Sequence, residues 1–172
     1  MLFGTEAFEV QILNLIHHVF GCGFMDFLMY ILSVVGNGGV LWIVTALCLI
    51  FTKKYRKSGF LILLCLLLGL IIGNIVIKPL IGRPRPCWLD LGRELLISNP
   101  TDFSHPSGHT LSSFIAAFIL LKTDKRLGVP AMIVAALIAF SRLYLFVHFP
   151  TDILAGILLA WIITLPVVKK WL

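Results

Sequence analysis

Basic side chains lie at the ends of two long apolar stretches of this sequence. Lys78 and Arg85 follow one stretch and are separated by six residues, and Arg142 lies at the end of another. A lysine offers a point charge, whereas an arginine offers a fork of N–H donors that suits bidentate contact with phosphate oxygens. Because an unpaired cation next to apolar surroundings is costly, the three side chains predict an anion site.

A second cluster, Pro106-Ser107-Gly108-His109, precedes a third apolar stretch. It predicts the start of a helix, where free N–H groups and the positive end of the helix dipole favour an anion. Gly108 would let the backbone approach that anion closely, since it has no side chain. His109 adds an imidazole that could give and take a proton.

A histidine and an aspartate complete the set. His148 and Asp152 are four residues apart around the start of the last apolar stretch. Asp152 can therefore reach one ring nitrogen of His148, fix its tautomer and leave the other nitrogen free to attack. The types and spacing of these residues are typical of nucleophilic catalysis at a bound anion.

The composition predicts a membrane domain that positions these clusters. The chain has 172 residues, of which 59% are hydrophobic and 13% charged. An ordinary soluble domain is about half apolar and about a quarter charged, and a chain this short buries too little of itself to hide the excess. These values exclude a soluble globular domain, a disordered chain and a disulfide-rich secreted domain.

The predicted fold class is all-α, an integral membrane helical bundle with five transmembrane helices and one N-terminal amphipathic helix. The whole chain, 1–172, is one membrane domain. The predicted transmembrane helices are 24–51, 59–77, 107–121, 127–147 and 150–168. The segment 1–20 is predicted to lie in the membrane interface, because its apolar residues recur on one helical face. A short sixth span is the alternative for 1–20.

Positive charges predict the orientation of the bundle. Nine lysines and arginines fall in the connections after the first and third spans and after the fifth, together with one acid, Asp124. If those connections are cytoplasmic, the chain follows the positive-inside rule at three places. The 78–106 connection then lies on the extracytoplasmic side. Most of the net charge of +6 is explained in this way, so no nucleic-acid partner is predicted.

The three clusters together resemble the type 2 phosphatidic acid phosphatase family, which shares its site with vanadium haloperoxidases. The family pattern is K-x6-R-P, P-S-G-H and S-R-x5-H-x3-D. The matching segments run from Lys78 to Pro86, from Pro106 to His109 and from Ser141 to Asp152. All three match without substitution and in the family's order.

The resemblance implies a lipid phosphatase in the cell membrane, with its active site on the extracytoplasmic face. It implies that His148 is a nucleophile forming a phosphohistidine, that Asp152 orients it, and that His109 is the general acid and base. The phosphate would be held by five residues: Lys78, Arg85, Ser107, Gly108 and Arg142. The resemblance implies neither a metal ion nor a cofactor. The only expected partner is the lipid phosphate substrate, with no obligatory protein partner.

Several alternatives stay open at this stage. The substrate could be undecaprenyl diphosphate, phosphatidylglycerol phosphate or phosphatidic acid. The phosphoryl group could pass to another lipid instead of water, which would make the protein a phosphotransferase. A non-enzymatic anion transporter is the alternative of another class. Arg83 could be a solvated charge or a substrate contact. Asp90, Arg93, Glu94 and Asp102 are interpreted mainly as solvated or locally paired charges. Cys22 and Cys87 both fall on the exterior side and could pair.

Overall fold

Helices form all the regular structure in residues 4–90 and 92–171, the part of the chain that the computed structural model describes. The described part leaves out residues 1–3, 91 and 172. Of these, 1–3 belong to the predicted interfacial segment 1–20, 91 belongs to the predicted 78–106 connection, and 172 is the last residue of the predicted domain 1–172. Four helical segments in the described part are long and apolar enough to cross a membrane, namely Gly23–Phe51, Arg56–Leu89, Lys125–Tyr144 and Pro150–Trp171. The all-α class is confirmed, and the chain is a multi-pass membrane protein.

The N-terminal helix α1, Glu6–Phe20, is amphipathic. Its apolar side chains Phe8, Leu15 and Val19 are exposed, whereas Glu9 is buried against the rest of the protein. At 15 residues α1 is shorter than the roughly 20 that a bilayer crossing needs. Its buried residues are Glu6, Glu9 and Leu13, and its exposed side mixes apolar and polar side chains. A short helix with such a surface suits the membrane interface, and that position stays a prediction.

Glycines break the first long segment into α2, Gly23–Gly36, and α3, Val40–Phe51. The intervening turn, Asn37–Gly39, contains Gly38 at φ 59° and Gly39 at φ 68°. Side chains with a Cβ rarely adopt this left-handed region, so the two glycines allow the break. The turn brings Asn37 opposite a helix that carries one of the predicted site residues.

The second long segment begins as α4, Arg56–Gly69, and widens into a π-helical stretch, Leu70–Ile77. It continues into a short helix, α5, Lys78–Ile81, so that Lys78 extends from a helix rather than from a loop. A second short helix, α6, Pro86–Leu89, lies within the predicted 78–106 connection.

Helix α7, Gly108–Thr123, lies at the centre of the bundle. Most of its side chains are buried, and the indole N–H of Trp42 on α3 donates to Ser113 on α7 over 2.9 Å. α7 corresponds to the predicted span 107–121. It has 16 residues and is not among the four segments long enough to cross a membrane, so the fifth span stays a prediction.

The last two helices are α8, Lys125–Tyr144, and α9, Pro150–Trp171. The predicted span 127–147 therefore includes three residues beyond α8. In that link Phe146 has φ 60°, which is unusual for a bulky residue. The chain turns back so that the N–H of His148 donates to the carbonyl of Arg142 over 3.3 Å. This turn fixes two predicted site residues relative to each other.

Candidate active site

His148 lies between Asp152 and Arg85, with its ring buried. Its Nδ1 is 3.5 Å from Oδ2 of Asp152, and its Nε2 is 3.1 Å from Nη1 of Arg85. Burial, together with the positive charges of Arg85 and Arg142, lowers the pKa of His148 from 6.5 to about 3, although Asp152 opposes the shift. The ring is therefore neutral near pH 7, the state in which a nitrogen lone pair can attack.

Asp152 is buried behind His148 and accepts several hydrogen bonds. Donors to its carboxylate include the Phe149 N–H at 2.8 Å, Nη1 of Arg83 at 2.8 Å, Nδ1 of His105 at 3.1 Å and the hydroxyl of Ser104. Carboxylates that accept several hydrogen bonds hold their negative charge and orientation well. Asp152 is thus built to stay charged and fixed beside the ring.

Three buried cationic side chains converge in front of His148. Lys78 and Arg85 both contact the carboxylate of Asp102, at 2.5 Å and 2.7 Å. Arg142 donates to the hydroxyl of Ser33, and its Nε has no hydrogen-bond partner among the described residues. Because one carboxylate faces three cations here, the group has the charge to accept a further anion, and that role stays a prediction.

The start of α7 forms another wall of this site. Ser107 is the N-cap of α7, and its hydroxyl accepts from the Thr110 N–H and hydroxyl. Its own N–H donates to the backbone carbonyl of Asp152 over 3.2 Å, which joins α7 to α9. Gly108 packs so close to Asn74 that a Cβ would lie 3.0 Å from Oδ1 of the asparagine. The small residue at 108 therefore allows a close approach to Asn74, whereas the expected approach to an anion stays a prediction.

His109 occupies the first turn of α7 and reaches toward α2. Its Nε2 is 2.9 Å from Oδ1 of Asn37 in the glycine-rich break, at hydrogen-bonding distance. An amide oxygen accepts hydrogen bonds, so this contact favours a proton on Nε2. A proton at that position suits a general acid.

A cavity of about 800 Å³ is lined by the charged groups and by apolar side chains. Six of the eight predicted site residues line it: Lys78, Arg85, Gly108, His109, Arg142 and His148. Ser107 and Asp152 lie behind this surface, where Ser107 caps a helix and Asp152 supports His148. Its apolar lining includes Ile43, Leu63, Leu67 and Leu70, which can contact a hydrocarbon chain. Ile43, Leu67 and Leu70 are also exposed at the outer surface, so the cavity pairs a cationic group with an apolar wall that reaches the surface of the helices.

Five residues at the site were not predicted for these roles: Glu9, Asn37, Arg83, Asp102 and His105. Arg83 is fully buried, whereas a solvated loop charge was one expectation for it. Asp102 is locally paired, as expected, but its partners are site cations. The sequence offered one signal for a role of Arg83, which is its position two residues before Arg85 in Arg83-Pro84-Arg85. That spacing does not show which arginine faces the substrate and which supports the site from behind.

Neither a metal centre nor a disulfide emerges from the described residues. Within 4–90 and 92–171, no three His, Cys, Asp or Glu side chains are grouped so that they could hold a metal ion. Cys22 and Cys87 are both free thiols, the first exposed and the second buried.

A model of the PAP2 superfamily matches residues 58–171, which include all three sequence clusters. The chain belongs to the PAP2 superfamily. This membership confirms the resemblance that the sequence clusters carry. The matched region begins after α3, so α1, α2 and α3 lie outside it.

Two curated relatives of this chain are named as phosphatases. The undecaprenyl-diphosphatase of Sulfolobus acidocaldarius is 38% identical over 159 residues, which are 91% of this chain and 75% of that protein. Phosphatidylglycerophosphatase B of Bacillus subtilis is 36% identical over 114 residues, which are 59% of this chain and 53% of that protein. The crystal structure of Aquifex aeolicus LpxE has a TM-score of 0.80 and 26% identity, with 94% of each chain covered. The chain is a phosphoric ester hydrolase, as the sequence predicted.

Proposed function

We propose that this membrane lipid phosphatase cleaves a lipid phosphate or diphosphate through a phosphohistidine at His148, without a metal ion. The observation that carries the proposal is the environment of the His148 ring. Its Nδ1 faces Asp152 and its Nε2 faces Arg85, and His148 lines the same cavity as three cations and His109. A neutral imidazole held in this way is an activated nucleophile.

In the first step, the terminal phosphoryl group binds to Lys78, Arg85, Arg142 and the N–H groups at the start of α7. Nε2 of His148 attacks phosphorus, and the bond from phosphorus to the leaving oxygen breaks as His109, in its imidazolium form, donates a proton to that oxygen and becomes neutral. The cationic side chains stabilise the negative charge on the phosphoryl oxygens.

In the second step, a water molecule enters the position of the leaving group. His109 accepts a proton from this water as its oxygen attacks phosphorus, and the bond between phosphorus and His148 breaks. Free phosphate leaves, and both imidazoles return to their starting protonation states. The same pair of residues therefore serves both halves of the reaction.

The substrate that we propose first is undecaprenyl diphosphate, with phosphatidylglycerol phosphate as the second. The support for this order is the coverage of the Sulfolobus relative, which matches most of this chain. Both lipids would place a phosphate among the cations and part of a hydrocarbon chain against the apolar wall of the cavity. That wall offers aliphatic contacts, which favour any hydrocarbon chain through burial of apolar surface and do not select its shape.

A panel of phosphorylated lipids tests this function on purified protein in detergent. We expect His148→Ala to abolish phosphate release and His18→Ala, at an exposed histidine of α1, to leave it unchanged. EDTA should leave the wild-type rate intact. Normal turnover by the His148 variant or a strict requirement for added divalent cation would contradict the proposed mechanism. Phosphate release without any acceptor lipid distinguishes a hydrolase from a phosphotransferase. Hydrolysis by protein in detergent, where no membrane separates two compartments, also distinguishes a hydrolase from a transporter.

We also propose that the site faces the extracytoplasmic side. The argument is the distribution of basic residues, which leaves the α1–α2 link and the 78–106 connection on one side of the membrane. Cys22, an exposed thiol in the α1–α2 link, is a native reporter of that side. A membrane-impermeant maleimide should label it in intact cells, with Cys22→Ser as the control. Labelling that appears only after the cells are opened would reverse the orientation.

A further inference from the structure

Glu9 of α1 is a buried carboxylate next to the residues that support His148. Only 3% of its surface is exposed, although α1 is otherwise a helix at the edge of the bundle with apolar side chains turned outward. Its position lies 49 residues before the region that the family model matches, which begins at residue 58. The family motifs therefore do not account for it.

One buried guanidinium joins Glu9 to Asp152. Nη2 of Arg83 is 2.9 Å from Oε1 of Glu9, and Nη1 of Arg83 is 2.8 Å from Oδ1 of Asp152. Arg83 has no exposed surface, and its guanidinium lies 4.1 Å from the centre of the Phe149 ring. Packing of this kind leaves the side chain little freedom, so the two carboxylates are coupled through a fixed cation.

The second oxygen of Glu9 holds the first turn of α9. Oε2 accepts from the N–H of Thr151 at 3.1 Å and from its hydroxyl at 2.7 Å. The first N–H groups of a helix have no partner within the helix, and a carboxylate near them is favoured by the helix dipole. Thr151 directly precedes Asp152, so Glu9 anchors the turn that carries this aspartate.

Glu9 is ionised at neutral pH. Burial alone would raise its pKa, but hydrogen bonds from Thr5, Thr151 and Arg83 outweigh that effect and lower the pKa below its usual value. Its negative charge therefore faces the positive charge of Arg83. Without it, the full charge of Arg83 would act on Asp152 and weaken that carboxylate as an acceptor for the ring N–H of His148.

We propose that Glu9 is a positioning residue for the Asp152–His148 pair and acts through Arg83 and Thr151. This inference rests on the proposed function, since it assigns a supporting role behind the proposed nucleophile. It makes α1 part of the catalytic apparatus rather than only a membrane anchor. Glu9 does not line the cavity that would hold the substrate, so its effect falls on the reaction step and not on binding.

The isosteric variant Glu9→Gln removes the charge and keeps the size of the side chain. We expect kcat to fall on the order of 10-fold to 100-fold, the range seen when outer partners of active-site ligands are removed. KM should stay within about twofold, because Lys78, Arg85 and Arg142 do not contact Glu9. Glu9→Asp keeps the charge and should recover part of the loss in kcat.

The partner variant tests the route through Arg83. Glu9→Gln alone leaves a buried cation with less compensation, whereas Glu9→Gln with Arg83→Met removes both charges. The kcat loss in the double variant should be smaller than the product of the losses in the two single variants, because the two residues act as one unit. Losses that multiply would overturn the proposed coupling.

The matched control lies on the same helix. Asn14 accepts from Nη2 of Arg93 over 2.6 Å and contacts the exposed side of the site-bearing loop. Asn14→Ala should leave kcat unchanged, and an equal loss of kcat in Asn14→Ala and Glu9→Gln would mean that α1 acts only by docking. Equal kcat in wild type and Glu9→Gln, or a rise in KM as large as the fall in kcat, would also overturn the proposal.

Rapid quenching with radiolabelled lipid separates this inference from the mechanism on which it rests. In Glu9→Gln, label should appear on His148 more slowly but at the same residue. Absence of label on His148 in the wild type would refute the phosphohistidine mechanism. If label forms on His148 at the wild-type rate in Glu9→Gln, only the proposed role of Glu9 is refuted, and the phosphohistidine mechanism stands. If Glu9→Gln does not fold, Glu9→Asp and the double variant supply the same comparison.

Discussion

Asp102→Asn should strengthen the binding of inorganic phosphate to the site. The carboxylate of Asp102 lies 2.5 Å from Nζ of Lys78 and 2.7 Å from Nη2 of Arg85. A bound phosphate needs the same N–H donors, so Asp102 competes with it. The side chain of Asp102 is 55% exposed, so it can swing into solvent when phosphate enters, whereas the two cations are buried.

The size of the effect follows from the two ion pairs. Because the carboxylate of Asp102 is more than half exposed, each pair is taken at the value of an exposed pair, about 0.2–1 kcal/mol, so releasing both costs about 0.4–2 kcal/mol. At about 1.4 kcal/mol per tenfold change, the inhibition constant of phosphate should fall by about 2-fold to 30-fold. Burial raises the pKa of Asp102, but Lys78 and Arg85 outweigh this and lower it to about 2. The carboxylate therefore stays charged, and the competition persists, at every pH above about 3.

The assay is competitive inhibition of lipid hydrolysis by inorganic phosphate in mixed micelles. Asp90→Asn is the control, because Asp90 pairs with Arg93 at 3.2 Å in the same connection and does not contact the site cations. Its inhibition constant should equal that of the wild type. An unchanged or higher constant in Asp102→Asn would refute the competition and mean that Asp102 holds Lys78 and Arg85 in place.

Two further predictions concern protonation and packing. The pKa of His148 is lowered from 6.5 to about 3, so its ring should stay neutral between pH 8 and 5. The NMR signal of the ring, assigned by its absence from His148→Asn, should therefore not shift over this range. A midpoint near 6.5 would contradict this. Because the unfolded chain binds a proton that folded His148 does not, the stabilising contribution of the neutral ring should be present above about pH 6.5 and decline as pH falls toward 3, as measured by thermal unfolding. Gly128→Ala should destabilise the protein by about 1–3 kcal/mol, because its Cβ would lie 2.1 Å from Cα of Leu121 in the backbone of α7. Gly23→Ala, where nothing lies within 4 Å of the new Cβ, is the control, and equal melting temperatures for the two variants would contradict the packing argument.

The sequence predicted the parts of the site that depend on spacing along one segment. The i, i+4 relation between His148 and Asp152 and the placement of Gly108 at a helix start follow from local geometry. Composition alone was enough for the all-helical membrane class, because 59% apolar residues leave few alternatives. The same local reasoning placed the ends of the long helices only to within a few residues, as α8 shows by ending at Tyr144.

The parts that sequence did not predict depend on contacts between distant segments. Glu9 lies on an amphipathic helix, where a carboxylate is expected to face water, and its burial depends on Arg83, which is 74 residues away. Asp102 and Arg83 are charged residues in a connection, and such residues are exposed in most proteins. The pairing of Asn37 with His109 spans 72 residues and depends on how the glycine-rich break packs against α7. No local pattern carries information of this kind.

Direct capture of the phosphorylated enzyme tests the central claim most sharply. Purified protein is mixed with lipid labelled in its terminal phosphoryl group, quenched in alkali, and mapped by mass spectrometry of its peptides. The mechanism predicts an acid-labile, base-stable phosphoryl group on His148, absent from His148→Ala. Phosphate release at the normal rate with no label on His148 at any quench time, or label on another residue, would contradict it.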